Sequence, residues 1–260
     1  MYSLSNRIHQ DAQRRHRMSE ATLAVIRELL GQCSPEERAA LFRELRKQHL
    51  IHEFEKIIGA PAEMILEAVH RAPELTRRML RGVIADAAFR TFAIASLEPT
   101  GWKDVTPEGN FAFDYKLDDG NGPITVQVKL QRSERGSPVV KSGTRYGFDS
   151  DVFIAETQKT RTGTDGDENQ TRPYRYGEFD ILAVSMQPSS ARWDRYMYTL
   201  GRWLVQGRNA SEMATLQPVG TRTNDFWTDD FTIAAQWLRA DDAGKRMANS
   251  APVRRKQNNS

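Results

Sequence analysis

Hydrophobic and polar residues alternate along two neighbouring stretches of the chain, 111–117 and 124–131. Aromatic or aliphatic residues fall at every second position of the first stretch, and isoleucine, valine and leucine do so in the second. An alternation of period two is typical of a strand with one face in the core. The segment 118–123 between them is rich in aspartate, glycine and asparagine, which favour turns. The pattern therefore predicts a β-hairpin in which Leu117 lies opposite Ile124.

The predicted hairpin brings three polar side chains together on its other face. With this register, Asp114 falls directly opposite Gln127, and Lys129 is the next residue along the same face. A carboxylate, a carboxamide and an ammonium group in this arrangement suit a divalent cation and an attacking water. The alternative is a solvated strand face on which Asp114 and Lys129 form a cross-strand pair.

A second register offers a competing site nearby. Asp114 is followed two residues later by Lys116, and Asp104 lies ten residues upstream of Asp114, across a turn. In this register Asp114 and Lys116 would form the D-x-K motif, and Asp104 would be the upstream acid. We prefer the later hairpin because its two strands are longer and their alternation is cleaner.

The first hundred residues have the composition of helices. Ser34 and Glu37 have the spacing of a capping box, and Pro35 occupies the first helical position, so we expect a helix over 35–48. Other helices are expected over 6–30, from Pro61 onward and over 73–97. The last of these carries Asp86, its only carboxylate between residues 83 and 97.

After residue 101 the pattern changes to short β-rich stretches. Strands are expected at 102–105, 152–156 and 179–184, and a final helix, capped within 228–230, should run to 238. These elements predict an α/β fold with a mixed central β-sheet flanked by helices and a helical N-terminal region. We expect three segments: helical residues 1–82, a catalytic domain over 83–245, and a disordered basic tail over 246–260.

Composition limits the binding partners, catalytic bases and crosslinks that the chain can have. The chain has 37 Lys and Arg against 34 Asp and Glu, so its net charge of +3 permits nucleic acid binding without requiring it. All five histidines lie at or before His70, which excludes a histidine base or a histidine-rich zinc site from the rest of the chain. A single cysteine, Cys33, excludes internal disulfides. Without a membrane-spanning or secretory pattern, the protein is expected in the cytoplasm, with no membrane partner.

A helix followed by a hairpin that carries an acid and then a polar-x-Lys motif resembles the PD-(D/E)XK nuclease family. Asp114, Gln127 and Lys129 carry the resemblance, with twelve residues between the first two. The segment 171–184, basic at first and then apolar, looks like what type II restriction endonucleases have after their catalytic hairpin. The resemblance covers roughly residues 83–205 and implies a restriction-endonuclease-like sheet.

The resemblance also implies a reaction, the hydrolysis of phosphodiester bonds of double-stranded DNA at a specific short sequence, and the residues that carry it out. Asp114, Gln127 and Lys129 would be catalytic, and the cofactor would be Mg²⁺, for which Mn²⁺ can substitute. The metal ligands would be Asp114, Gln127 and the backbone carbonyl of Val128, with Asp86 as an additional carboxylate. The products would carry 5′-phosphate and 3′-hydroxyl ends.

Gln127 departs from the commonest form of the family, which has Glu or Asp at this position. A Q-x-K form also occurs in the family. A carboxamide oxygen can coordinate Mg²⁺ but contributes no negative charge, so metal binding would depend mainly on Asp114. Two explanations remain open: a native Q-x-K site, or a Glu-to-Gln substitution that inactivates the enzyme.

The implied partner is double-stranded DNA, bound by a homodimer that is paired functionally with a DNA methyltransferase. Basic side chains follow the catalytic strand and also precede the later apolar strand, and arginine and lysine in loops contact phosphates or guanine edges. The candidate DNA-binding residues are Arg132, Arg135, Lys141, Arg145, Arg172 and Arg175. Two other functions remain open: a DNA-binding protein with a degenerate nuclease site, and a structure-specific repair nuclease.

Overall fold

The computed structural model describes residues 20–48, 52–159, 173–240 and 244–248. The chain divides into two compact units, Met1–Ala72 and Pro73–Ser260. In the described parts of both units, none of the helices combines the length and apolarity needed to cross a membrane. Residues 246–248 of the predicted disordered tail (246–260) are described, and Met247 is buried with its amide donating to Trp203 O at 2.8 Å, so these three are ordered; the rest of the tail lies outside the described residues.

The first unit is helical wherever the structure describes it. Its helices are α1 (Glu20–Gln32), α2 (Pro35–Gln48), α3 (Phe54–Ile58) and α4 (Ala62–Arg71). The capping box before α2 is formed as predicted, because the Ser34 amide donates to Glu37 Oε2 at 2.8 Å and the Glu37 amide donates to Ser34 Oγ at 3.2 Å. The predicted bounds of α2 are thus confirmed, whereas residues 6–19 of the predicted first helix lie outside the described residues.

The second unit begins with a long helical run. Helix α5 (Glu74–Ala88) continues into a π-helical segment (Phe89–Ile94), a short α6 (Ala95–Leu97) and a 3₁₀ turn (Glu98–Thr100). The helix predicted over 73–97 is therefore confirmed, with a widened segment that the sequence did not indicate. The domain boundary predicted between residues 82 and 83 falls inside α5.

The central sheet of the second unit is mixed. Its described strands are β1 (Lys103–Asp104), β2 (Tyr115–Asp118), β3 (Ile124–Leu130), β8 (Ile181–Ser185) and β9 (Tyr196–Leu200), in the order β1-β2-β3-β8-β9. Strands β3 and β8 pair in parallel, and the other neighbours are antiparallel. With helices around this sheet, the predicted α/β class is confirmed.

The remaining described strands lie outside the central sheet. Strands β6 (Val140–Lys141), β7 (Val152–Glu156) and β10 (Leu216–Gly220) form a second sheet with β7 in the middle, and β4 (Ser133–Glu134) pairs with β5 (Ser137–Pro138). Helices α7 (Gln187–Ser190) and α8 (Phe231–Arg239) and two 3₁₀ segments (Gly143–Tyr146 and Gly201–Trp203) complete the described elements. The predicted cap of the final helix is Asp230, whose carboxylate accepts from the Thr232 amide at 2.8 Å.

Apolar clusters cover both faces of the central sheet. Alternate residues of β8 belong to different clusters: Ile181 and Ala183 to one, Leu182 and Val184 to the other. Phe89, fully buried, is in the first cluster, with its ring 5.2 Å from those of Tyr115 and Tyr196. The polar residues of β3 therefore do not line a solvated sheet, and Gln127 is only 2% exposed.

The predicted hairpin register is correct, although its first strand is shorter than expected. Leu117 pairs with Ile124 and Tyr115 with Val126, and the Asp114 amide extends the ladder by donating to Val126 O at 2.9 Å. Residues 111–113 are not a strand, so that part of the prediction is wrong. Their apolar side chains do not alternate across a sheet: the Phe111 and Phe113 rings stack on each other at 5.2 Å.

Candidate active site

Asp114, Gln127 and Val128 form one hydrogen-bonded group at the end of the hairpin away from its turn. Asp114 Oδ2 accepts from the Val128 amide at 2.7 Å and also from the Gln127 side-chain amide. The same Gln127 nitrogen donates to Val128 O at 3.2 Å. Antiparallel pairing causes this arrangement, because it sets Asp114 opposite Gln127 and within reach of the next main-chain amide.

Lys129 extends from the same face of β3 into partly buried surroundings. Its Nζ lies 3.3 Å from the hydroxyl oxygen of Tyr174. Burial lowers the pKa of Lys129, while the negative charges of Asp114 and Asp86 raise it. The ammonium group is therefore placed among two carboxylates and a phenol.

Asp86 on helix α5 lies within electrostatic range of this group, because its charge raises the pKa of Asp114 and of Lys129. Its carboxylate Oδ1 is buried and has no hydrogen-bond partner among the described residues, and the Tyr115 hydroxyl donates to the Asp86 main-chain oxygen at 3.0 Å. Burial raises the pKa of Asp86, whereas a hydrogen bond from Tyr115 and the charges of Lys129 and Arg90 lower it. A buried carboxylate oxygen without a donor favours a cation or a proton beside it.

Asp114 combines an exposed side with an inward-facing oxygen. The residue is exposed as a whole, yet its Oδ2 is held by two donors of β3. Burial of the carboxylate raises its pKa, Lys129 and the Val128 amide lower it, and the charge of Asp86 raises it again. Asp114 therefore has one side in contact with solvent, while its Oδ2 belongs to the buried part of the group.

The donor atoms of this group are those that a hard divalent cation prefers. They comprise the carboxylates of Asp86 and Asp114, the amide of Gln127 and the carbonyl of Val128, all of which offer oxygen. In the described parts of the chain, no three or more His, Cys, Asp and Glu side chains are grouped so as to hold a metal ion. The Gln127 nitrogen bridges Asp114 Oδ2 and Val128 O, and half a turn of the amide would present its oxygen instead.

The structure does not favour the competing site at Asp104, Asp114 and Lys116. Asp104 is engaged within its own turn, where its Oδ1 accepts from the Thr106 amide at 3.0 Å and from the Thr106 hydroxyl at 2.5 Å. Thr106 Oγ1 in turn accepts from the Lys116 main-chain amide at 2.8 Å. Asp104 thus stabilises the β1–β2 connection. Lys129 is the lysine whose pKa is lowered by burial and raised in opposition by the charges of Asp114 and Asp86.

The predicted DNA-binding residues fall into different environments. Arg132 is half-buried and paired with Glu134 at 3.0 Å and Glu156 at 3.9 Å. The others within the described residues are exposed, on the β4–β5 turn, β6, a 3₁₀ segment and the turn before β8: Arg135, Lys141, Arg145 and Arg175. Arg172 lies outside the described residues.

Sequence analysis missed Tyr174 and Lys159 beside this group. Tyr174 is 5% exposed, and Lys159 Nζ lies 5.5 Å from the centroid of its ring. Lys159 also pairs with Glu178 at 2.6 Å. All three lie between β7 and β8, where no periodicity assigns positions, and the only signal in the sequence was an aromatic residue among basic ones.

A surface cavity of about 590 Å³ lies elsewhere in the second unit, bordered by Phe92, Tyr198 and Phe231 among others. None of the predicted site residues lines it. The polar groups predicted from the sequence lie around Asp114, so we place the candidate site there and not at this cavity.

Comparisons with known proteins give little guidance. No protein-family model matches the chain, and no curated protein matches it. Among solved structures, the chain is similar to a bacterial homing endonuclease, I-Ssp6803I, with 21% identity, a TM-score of 0.38, and coverage of 63% of this chain and 96% of that one. At this TM-score the similarity does not establish a common fold.

Proposed function

We propose that this chain is a Mg²⁺-dependent endonuclease that hydrolyses phosphodiester bonds of double-stranded DNA, of the PD-(D/E)XK type in its Q-x-K form. The observation that carries the proposal is the convergence of Asp114, Gln127 and Lys129 on one end of the hairpin, with Asp86 brought to them by α5. A carboxylate, an amide and an ammonium group of one hairpin thus lie on the same side of it, within electrostatic range of the Asp86 carboxylate from α5.

The residues fit a hard cation. Two carboxylates with raised pKa values, one of them with a buried oxygen lacking a donor, are stabilised when a positive charge lies between them. Asp86, Asp114 and the Val128 carbonyl would hold Mg²⁺, and Gln127 would join them through its amide oxygen. When bound, Mg²⁺ supplies an activated water and offsets charge on the phosphate.

Lys129 would act directly on the reacting groups. Its ammonium group can donate to the attacking water and offset charge that develops on the phosphorane oxygens. Water adds to phosphorus, the bond to the 3′ oxygen breaks, and the products carry 5′-phosphate and 3′-hydroxyl ends. The proton lost by the water passes to solvent or to the leaving oxygen.

Asp114 and Gln127 would set the geometry in which Lys129 works. The Val128 amide fixes Asp114 Oδ2 at 2.7 Å, so the carboxylate has one held oxygen and one free for a ligand. Gln127, at 2% exposure, cannot swing into solvent and keeps Asp114 in this orientation. A site held before the substrate binds spends little energy on reorganisation.

Exposed basic residues after β3 support DNA as the substrate. Arg135, Lys141 and Arg145 take no part in the ion pairs that engage Arg132, so they remain able to contact phosphates. Within DNA endonucleases we propose a type II restriction enzyme, acting as a homodimer and paired with a methyltransferase that protects the host sequence. The support for this class is the character of segment 171–184 alone.

Incubation of plasmid DNA with Mg²⁺ or Mn²⁺ tests the proposal. We expect discrete fragments from the wild-type protein and none from Asp114→Ala. Nicking or fragmentation that survives in Asp114→Ala would indicate a contaminating nuclease and contradict the proposal. Sequencing of the fragment ends would separate a fixed recognition sequence from cleavage directed by DNA shape.

A second candidate is a DNA-binding protein that has lost catalysis. The observation in its favour is the Gln127 nitrogen, which donates to Asp114 Oδ2 and to Val128 O and so occupies the carbonyl that a metal would use. DNA binding without cleavage in either metal would support this candidate. Cleavage that appears in Gln127→Glu alone would identify an inactivated enzyme.

A further inference from the structure

We propose that Tyr174 is a positioning residue that holds the ammonium group of Lys129 in its working orientation. The proposal rests on the function proposed above, and it adds a residue that the hairpin motif does not contain. It is carried by the contact between Lys129 Nζ and the Tyr174 hydroxyl and by the way in which the protein fixes Tyr174.

The contact is made by the hydroxyl group and not by the face of the ring. Lys129 Nζ lies 3.3 Å from Tyr174 Oη but 5.2 Å from the ring centroid. These distances place the nitrogen beyond the oxygen end of the phenol, where it donates a hydrogen bond. A cation stacked on the ring would be closer to the centroid than to the oxygen. The hydroxyl is therefore the part of Tyr174 that matters.

Tyr174 is itself held on several sides. Its ring packs edge-on against Phe179 at 5.3 Å, and its main-chain oxygen accepts from the Met213 amide at 2.8 Å. The ring has a second neighbour in Lys159, whose Nζ lies 5.5 Å from the ring centroid and forms an ion pair with Glu178 at 2.6 Å. At 5% exposure, Tyr174 has no room to adopt another rotamer.

Glu178 links these contacts to the turn that precedes β8. Its Oε1 accepts a hydrogen bond from Lys159 Nζ at 2.6 Å, while its Oε2 accepts one from the Arg175 amide at 2.9 Å. The Glu178 amide donates to Arg175 O at 3.2 Å, which closes the turn. The turn that carries Tyr174 is thus fixed before any DNA arrives.

A long lysine side chain needs such a restraint. Lys129 has four rotatable bonds, and fixing them on substrate binding would cost rotamer entropy at the moment of reaction. A hydrogen bond to a buried phenol restricts the ammonium beforehand and leaves two of its hydrogens for the carboxylates and the water. Burial raises the pKa of Tyr174, so the hydroxyl remains a neutral acceptor.

Tyr174→Phe removes only the hydroxyl and keeps the ring. Tyr176→Phe is the matched control, since Tyr176 also donates through a part-buried hydroxyl, to Leu204 O at 2.9 Å, but has no contact with Lys129 among the described residues. Single-turnover cleavage at saturating DNA, DNA affinity without divalent cation, and Tm should be measured for both variants and the wild type.

We expect Tyr174→Phe to lower the single-turnover rate about tenfold, the size typical of a hydrogen bond to a charged group, with DNA affinity unchanged within twofold. Tyr176→Phe should cleave at the wild-type rate. A wild-type rate in Tyr174→Phe, or a loss that lies in DNA affinity, would overturn the positioning role. A wild-type protein that never cleaves DNA would instead refute the proposed function, so the two failures are distinct.

Discussion

Asp114 and Asp86 share one electrostatic environment: burial raises the pKa of Asp114, and the charge of Asp86 raises it further. The two carboxylates come from different elements, and Lys129 lowers the pKa of each. A folded protein that holds carboxylates with raised pKa values is less stable at neutral pH than it would be with neutral groups there. A local loss of folding stability of this kind is common in functional sites.

Asp86→Asn should stabilise the fold at neutral pH while it weakens cleavage. Because the folded-state pKa of Asp86 is raised, its contribution to stability is present at low pH and is lost as pH rises through that pKa. We therefore expect the Tm of the variant to exceed that of the wild type at pH 7, with a smaller difference at pH 4. Cleavage should fall about 10–100-fold.

Asp119→Asn is the control of opposite sign. Hydrogen bonds from Arg239, at 2.9 and 2.6 Å, lower the pKa of Asp119 to about 2. Its contribution is present above the unfolded-state pKa and is lost as pH falls through the folded one, so this variant should lower Tm at pH 7. A Tm for Asp86→Asn below that of the wild type at pH 7 would contradict the assignment of Asp86.

Lys129→Met should reduce cleavage about 10²–10³-fold, which is typical of removing one group that stabilises charge in the transition state. Lys116→Met provides the matched control, because Lys116 is the lysine of the competing register and lies on the neighbouring strand. Single-turnover rates at saturating DNA should be compared for the two. A larger loss in Lys116→Met would shift the site to Asp104 and Lys116.

Gln127→Glu should weaken the metal-free fold and increase its response to Mg²⁺. The substitution removes the donor that contacts Asp114 Oδ2 and Val128 O, and adds a charge at a position only 2% exposed. We expect a loss of about 1–3 kcal/mol of unfolding free energy without metal. Thermal melts with and without Mg²⁺ should then show a larger rise in Tm for the variant than for the wild type.

Gln217→Glu separates the metal effect from simple burial. Gln217 is fully buried and makes similar main-chain hydrogen bonds, donating to Val205 O at 3.1 Å and to Ala214 O at 2.7 Å. We expect this variant to be destabilised with no recovery in Mg²⁺. Equal recovery of both variants would show that Gln127 has no special relation to a metal.

Replacing Arg135, Lys141 and Arg145 together by glutamine should weaken DNA binding uniformly across sequences. Removing one cation that neutralises a phosphate should lower the slope of log affinity against log salt by about 0.9, so the three substitutions should lower it by about 3. Fluorescence anisotropy over a range of salt concentrations measures this slope. Arg132→Gln should change it least, because Arg132 is already paired with Glu134 and Glu156; an unchanged slope in the triple variant would place the DNA elsewhere.

Phe89→Ala should destabilise the second unit by about 3–5 kcal/mol, the usual range for a fully buried aromatic residue. Phe89 is fully buried, and its ring contacts those of Tyr115 and Tyr196 at 5.2 Å and of Tyr198 at 6.5 Å. Urea denaturation monitored by circular dichroism gives the free energy. A loss below about 1 kcal/mol would mean that the helical run carrying Asp86 is not anchored through this ring.

Sequence patterns correctly predicted those elements that depend on residues close together in the chain. The capping box at Ser34 and Glu37 fixed the start of α2, and the alternation around Leu117 and Ile124 gave the hairpin register. Alternation failed at Phe111 and Phe113, which stack on one another, because a period-two pattern does not say whether a partner strand is present.

Long-range features of the site were not predictable in the same way. The burial of Gln127 depends on an apolar cluster that includes Leu182 and Val184, on a strand far along the chain. Tyr174 contacts Lys129 from the turn before β8, where Glu178, Phe179 and Met213 hold it in place. No spacing rule connects such residues, since their contact depends on how separate elements pack.

The parallel pairing of β3 with β8 has a consequence for the newborn chain. The hairpin with Asp114 is synthesised first, but β3 can pair with its parallel neighbour β8 only after synthesis has passed Ser185, and Tyr174 precedes that strand by a few residues. Parallel partners distant in sequence join late. The candidate site around Lys129 is therefore complete only after β8 has been translated and has paired with β3.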